Sequence, residues 1–312
     1  MNTGGSAKRI LVIKLGALGD IVLALGPFAA IRRDHPDAHI TLLTTPPYAE
    51  FLAACPYFDE IRAEQRAPLW NPVAWLALSR SLREGGFDRV YDLQTSDRSG
   101  WSFRLMGPGR RPEWSGIAPG CSHPHTNPNR DCMHSIERQI EQLAIAGIDN
   151  VPEADLSWMA ADIARFGLAE RTALLVPGGA PHRPAKRWPV DRYAELATRL
   201  VTQGVEPVIV GAAAEADIAQ EILTACPIAR DLTAQTTIED IAMLARNANI
   251  AIGNDTGPMH LIAAAGCPSV VLFSGASDPA LTAPRGAEVT VLRAMDLATL
   301  SVESVEGALS LR

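Results

Sequence analysis

Three glycine-bearing loops carry the residue types that could do chemistry. The first reads Lys14-Leu-Gly16-Ala-Leu-Gly19-Asp20. Two glycines after an apolar run let the backbone turn tightly and expose N–H groups at a helix start. Asp20 fits two roles at such a turn. It can cap the helix, or it can stand at the rim of a site as a general base. A dinucleotide-binding fingerprint would require a carboxylate about 20 residues on, at the end of the second strand. That region reads His39-Ile-Thr-Leu-Leu-Thr-Thr45 and has none.

The second loop runs from Pro177 to Pro189 and contains Gly178, Gly179, Arg183, Lys186 and Arg187. Small residues allow a ligand to approach the backbone, and cations just before a helix make a natural diphosphate site. The alternative is a solvated basic turn. The third loop reads Gly253-Asn254-Asp255-Thr256-Gly257-Pro258-Met259-His260. Proline suits the first position of a helix, so the N–H groups of Thr256 and Gly257 would face an anion. Asp255 would repel a phosphate and is better suited to accept from sugar hydroxyls or nearby N–H groups. His260 lies one turn into the helix, where it either faces the site or serves the structure. A fourth turn, Phe273-Ser-Gly275-Ala-Ser-Asp278-Pro279, could line a base or sugar pocket. The cluster Cys121, His123, His125, Cys132 and His134 has the wrong spacing for known zinc modules, so no metal site is expected.

These loops need elements to hold them. Arg9–Leu15 reads as a buried strand, and a helix is expected over 20–33 because Ile21, Leu25, Phe28, Ala29 and Ile31 recur near helical spacing. Strands at 39–45 and 88–93 and helices at 73–83 and 135–146 continue the alternation. The segment 107–133, rich in Gly, Pro, Asn and His, reads as a long functional loop or an irregular connection. A crossover is expected near 149–170. The rhythm then restarts with strands at 173–176, 207–210, 250–253 and 269–273, and helices at 190–203, 215–224, 238–246 and 258–265. Alternation of this kind predicts parallel βαβ units. The expected fold is α/β, with two facing Rossmann-like domains (1–160 and 161–312) around a central cleft. Ligands of open parallel sheets lie at the carboxyl ends of the strands, where the loops above fall.

Composition bounds the function. A chain of 312 residues is long enough for two domains. With 47% hydrophobic and 20% charged residues it is not a disordered chain. A net charge of −7 disfavours nucleic acid as a partner. The five cysteines are scattered without a CxxC, which fits a reducing compartment. No apolar run reaches about 18 residues, so neither a signal segment nor a membrane span is expected. A cytoplasmic location, with peripheral contact at the inner face of the cytoplasmic membrane, fits.

Taken together, Ile-Lys-Leu-Gly-Ala-Leu-Gly-Asp-Ile (13–21), the loop 177–189 and Asn-Asp-Thr-Gly-Pro-Met-His-Leu (254–261) resemble glycosyltransferase family 9. Its best-known members are ADP-heptose:lipopolysaccharide heptosyltransferases. The resemblance extends from about residue 9 to 286. It implies a GT-B fold, an inverting reaction, no catalytic metal and no cofactor. It also implies that Asp20 is the general base, that Lys186 is the donor-phosphate lysine, and that Glu215 holds the donor's ribose. Gly178, Gly179, Arg183, Asp255, Thr256, Gly257 and His260 would complete the donor site. The N-terminal domain would bind the acceptor through Gly19 and the segment Gln94–Arg104, with Arg98, Arg104, Arg110 and Arg111 reading an anionic glycolipid. His134 and Arg138 match a His-x-x-x-Arg pattern of the family. The chain departs from the family at Ala17 and at Gly178-Gly179-Ala180, where hydroxyl residues are common. The expected C-terminal helix, 301–311, is short.

The resemblance implies transfer of a heptose from an ADP-sugar to a lipopolysaccharide-core acceptor. Asp20 would take the acceptor's proton. Lys186, Arg183 and the helix start near Thr256 would stabilise the leaving diphosphate, and domain closure would exclude water. Two other readings stand beside it. A GT-B epimerase acting on a UDP-sugar would need further carboxylates facing the sugar. A non-enzymatic nucleotide-binding protein would have no use for Asp20 opposite a cationic loop.

Overall fold

The computed structural model describes residues 8–65, 70–107, 111–180 and 182–310. It divides into two compact units, Met1–Ala154 and Asp155–Arg312. In the first, the elements run β1 (Arg9–Ile13), α1 (Leu18–Val22), α2 (Leu25–Asp34), β2 (His39–Thr44), α3 (Pro46–Ala53), β3 (Glu60–Ala63), α4 (Pro72–Glu84), β4 (Arg89–Asp92), α5 (Asp97–Leu105), β5 (Glu113–Gly116), β6 (His123–Pro124) and α6 (Ser135–Ile145). In the second they run β7 (Thr172–Val176), α7 (Val190–Thr202), β8 (Glu206–Ile209), α8 (Ala216–Ala225), β9 (Arg230–Asp231), α9 (Ile238–Asn247), β10 (Ile250–Asn254), α10 (Gly257–Ala264), β11 (Ser269–Phe273), α11 (Pro279–Thr282), β12 (Val289–Arg293) and α12 (Val302–Glu306).

Each unit is built on a six-stranded sheet, ordered β3-β2-β1-β4-β5-β6 in the first and β12-β11-β10-β7-β8-β9 in the second. All pairings are parallel. Counted from the first strand of each unit, both follow the doubly wound order 3-2-1-4-5-6. The chain therefore reverses direction between β1 and β4, and again between β7 and β10. Such switch points open a crevice at the carboxyl ends of the two strands. The central strands are continuous apolar runs because helices cover both faces: Thr172–Val176 and Ser269–Phe273 are buried at every position.

The apolar core of the second unit gathers Leu175, Trp188, Tyr193, Leu196, Leu200, Ile252 and Leu272. In the first, Leu11, Ile13, Val90, Phe103 and Trp114 form a comparable cluster. Trp188 meets Tyr193 edge to face, with ring centroids 4.9 Å apart. Removing a buried ring of this kind costs about 3–5 kcal/mol.

The structure corrects several expectations. The single helix over 20–33 is two helices, α1 and α2, with Leu23 and Ala24 between them. Pro27 is the cause: it lacks the N–H that would bond Leu23, and its ring would clash with that residue's carbonyl. The segment 107–133, expected to be a long loop or an irregular connection, contributes strand β5 and the edge strand β6. Helices α3 and α5 and strands β3, β9 and β12 are additions to the sequence reading. The C-terminal helix spans only Val302–Glu306, not 301–311.

Candidate functional site

Each crevice at a switch point holds one of the charged loops. In the first unit, β1 runs directly into Lys14, which is buried. Its Nζ donates to the carbonyl of Leu93, just past β4, at 3.0 Å. The N–H of Leu15 donates to Gln94 Oε1 at 2.8 Å. These two bonds join the loops on either side of the crevice. Burial pushes the Lys14 ammonium down to about 8, against the charges of Asp20 and Asp92 and with that of Arg138.

Asp92, the last residue of β4, is fully buried. Burial pushes its carboxyl up to about 6, opposed by hydrogen bonds from Ser99, Thr95 and Gln94 and by the charge of Lys14. Ser99 Oγ donates to Asp92 Oδ2 at 2.8 Å, and the N–H groups of Gln94 and Thr95 donate to Oδ1 at 3.1 Å.

Asp20 is the third residue of α1 and is half-buried. Its Oδ2 accepts the N–H of Ala17, the N-cap residue, at 3.1 Å. Among the described residues the other oxygen has no hydrogen-bond partner. Gly16 makes this position available, because a Cβ there would stand 2.5 Å from Asp20 Oδ2. Asp20 is thus a capping residue with a lone pair to spare, and the two roles read from the sequence are compatible. Gly19 is buried, its carbonyl accepting the N–H of Leu23 at 3.0 Å. Arg138, on α6, is coupled to both Lys14 and Asp20; burial and the neighbouring Arg130 lower its pKa. His134 caps α6, its Nδ1 accepting the N–H of Ile136 at 3.2 Å.

The other arginines assigned to the acceptor lie along α5 and just after it. Arg98, Arg104 and Arg111 stack over Trp75, Trp101 and Phe103, with the guanidinium carbon 5.2, 5.3 and 5.0 Å from the ring centres. Arg110 lies outside the described residues.

In the second unit the loops after β7 and β10 meet across the crevice. Lys186 Nζ bonds Asp255 Oδ2 at 2.6 Å, with side chains only 13% and 7% exposed. Of the two roles read for Asp255, accepting from sugar hydroxyls or from nearby N–H groups, the structure shows one oxygen accepting from the lysine's N–H groups. Asn254 joins the loops. Its Nδ2 donates to the carbonyls of Pro177 and Gly178 at 2.8 and 3.0 Å. Its Oδ1 accepts from the Trp188 N–H at 3.0 Å and the Tyr193 hydroxyl at 3.2 Å. Arg187 Nη2 donates to the Gly179 carbonyl at 2.5 Å.

Gly178 is small for an internal reason as well as for a ligand. A Cβ there would stand 2.7 Å from Glu215 Cγ, so the glycine makes room for Glu215. That residue is buried at the start of α8, its Oε2 accepting the Ala212 N–H at 2.8 Å. Thr256 is the N-cap residue of α10, but its hydroxyl is buried without a partner among the described residues. Gly257 opens α10, and His260 is buried one turn on. Arg183 is exposed at the start of the short 3-10 turn that ends in Lys186. The second unit thus collects Lys186, Asp255, Thr256, Glu215 and Gly178 at one crevice. The unpartnered hydroxyl of Thr256 and the amino end of α10 suit a phosphate oxygen.

The sequence reading quoted Lys14, Asn254 and Arg138 without assigning them work in the site, and it passed over Asp92. A charge at the carboxyl end of a buried apolar strand is the signal that marks Lys14 and Asp92. Among the described residues no three histidine, cysteine or carboxylate side chains gather as metal ligands. Cys121 instead points its thiol at the Gly116 carbonyl, and His123 bonds Ser122.

Comparison with known proteins identifies the family and the fold. The model of glycosyltransferase family 9 (heptosyltransferase) matches residues 75–307. The lipopolysaccharide heptosyltransferase 2 of Escherichia coli K12 is 27% identical over 310 residues, 91% of this chain and 88% of that protein. The solved structure of E. coli ADP-heptose LPS heptosyltransferase II aligns with a TM-score of 0.79 at 23% identity, covering 96% of this chain and 97% of the other. E. coli heptosyltransferase WaaC with ADP aligns at 0.76 and 19% identity, over 96% and 98%. The structural likenesses are of fold, and the fold is the GT-B type.

Proposed function

Because the chain belongs to glycosyltransferase family 9, we propose that it transfers a heptose from an ADP-linked donor to an anionic, lipid-borne lipopolysaccharide-core acceptor. The observation that carries this reading is the second crevice, where Lys186 bonds Asp255, the residue before Thr256, and Thr256 brings its unpartnered hydroxyl to the amino end of α10. A leaving nucleoside diphosphate gathers negative charge in the transition state, and preorganised donors stabilise it there. Lys186 exchanges its bond to Asp255 for the diphosphate, and Glu215 accepts from the ribose. The first unit holds the acceptor, and the unshared oxygen of Asp20 takes the proton of the attacking hydroxyl. Arg98, Arg104 and Arg111, with Arg110, meet the anionic groups of the acceptor. Membership of a transferase family leaves no support for the epimerase or for a non-enzymatic binding protein.

Thermal shift with a panel of nucleotides tests the donor. ADP-heptose or ADP present at about 100 times its dissociation constant adds about 2.7 kcal/mol of stability, whereas UDP- and GDP-sugars add nothing. Stabilisation by a UDP- or GDP-sugar alone would overturn the donor assignment and leave the family intact.

A further inference from the structure

We propose that the outer face of α4 and α5 docks the first unit on an anionic phospholipid bilayer. Among the described residues, Trp70, Val73, Leu76 and Trp101 are 84%, 73%, 70% and 52% exposed. They are half of the large hydrophobic side chains left exposed, and all fall on or beside one pair of packed helices. Val73, Leu76, Ala77 and Arg80 follow the spacing of a single helical stripe. A stripe so apolar on the solvent side is expected to be covered in use.

Charge identifies the cover. Residues 70–84, 97–105 and 111 carry Arg80, Arg83, Arg98, Arg104 and Arg111 against only Glu84 and Asp97, in a chain whose net charge is −7. Glu84 is already bonded to Arg80 at 2.7 Å. Three of the remaining guanidiniums lie over aromatic rings. Tryptophan with a stacked cation suits the headgroup layer of a membrane, where apolar rings and anionic groups lie within a few ångströms of one another. A second copy of the chain fits less well, since a two-fold interface would set these arginines against themselves.

Position agrees. Helices α4 and α5 follow β3 and β4, so their amino ends rise from the sheet edge that also carries Lys14 and Asp20. A lipid-borne hydroxyl would be presented at that edge. Only this last point rests on the proposed transfer reaction; the docking surface does not.

The test is flotation of the full-length protein with vesicles of phosphatidylcholine, with and without phosphatidylglycerol. Binding is expected only with the anionic lipid and weakens with salt. The triple variant W70S/V73S/L76S should lose about tenfold in vesicle affinity while retaining transfer to a water-soluble, delipidated acceptor. Leu76→Glu alone should do the same to a smaller extent, and serves if the triple variant fails to fold. Wild-type protein that does not float, or variants that float as well as it does, would overturn the proposal. So would a wild-type dimer that the variants dissociate without any change in flotation. Vesicle binding without transfer to any acceptor would instead count against the proposed reaction.

Discussion

A carboxylate serves as a base only if a lone pair remains after its structural bonds are made, and Asp20 keeps one oxygen outside its cap. Asparagine can supply the same cap, so Asp20→Asn should fold as the wild type does. Turnover should fall by about 10² or more, with donor affinity by calorimetry unchanged. Wild-type turnover would leave capping as the only role. Behind Asp20, the buried Lys14 and Asp92 weigh against stability. The folded pKa of Asp92, near 6, exceeds the ordinary 3.8. Between those values the folded state binds more protons than the unfolded one. Its contribution is therefore full below about pH 4 and is lost as pH rises through 6, about 3 kcal/mol in all. Denaturant titrations at pH 4.5 and 7 should show about 2 kcal/mol of this loss in the wild type and none in Asp92→Asn. Equal slopes in the two proteins would refute the assignment. Lys14 gives the opposite case: its folded pKa, near 8, lies below the ordinary 10.5, so its contribution returns as pH rises above 8.

At the scale of elements, the loops after β7 and β10 divide the work between a cation and a brace. Lys186→Ala should cut donor affinity at least tenfold, and it should also lower the melting temperature, because it leaves the nearly buried Asp255 carboxylate without its partner. Asn254→Ala should act on stability first. It strands two carbonyls and an N–H in the interior, at about 1–3 kcal/mol for each group left unmade, while the Tyr193 hydroxyl keeps the Val176 carbonyl at 3.4 Å. Calorimetry and thermal melts on the two variants separate these outcomes; a Lys186→Ala protein with full donor affinity would exclude the phosphate role. The cation was legible in the sequence because glycines and charges interrupt an apolar rhythm there. The brace was not, because Asn254 acts on Pro177 and Trp188, which only the pairing of β7 with β10 brings near. The same contrast holds for the rest of the fold. The long central strands were readable from their apolar runs, and Pro27 was a visible sign of the α1–α2 break. Strands β6 and β9, of two residues each, are too short to show a period. Helix α5 carries a glycine and two serines where apolar periodicity would be sought; its sign was the cap, Ser96 with Ser99.

At the scale of the molecule, the two units repeat one strand order with separate cores. If the donor site belongs to the second unit alone, a fragment starting at Asp155 should bind ADP within a few-fold of the intact chain while catalysing nothing. Equilibrium dialysis on the fragment checks this, and loss of binding by a folded fragment would place part of the donor site in the first unit. The repeated order also bears on inheritance. Each crevice is supported by the loops of its own sheet, and neither sheet borrows a strand from the other. If, as proposed, the first unit reads the acceptor and the second the donor, mutations that alter the one need not disturb the other. On that division a lineage can rewrite its acceptor while conserving its donor, and the two halves of the gene are free to change at different rates.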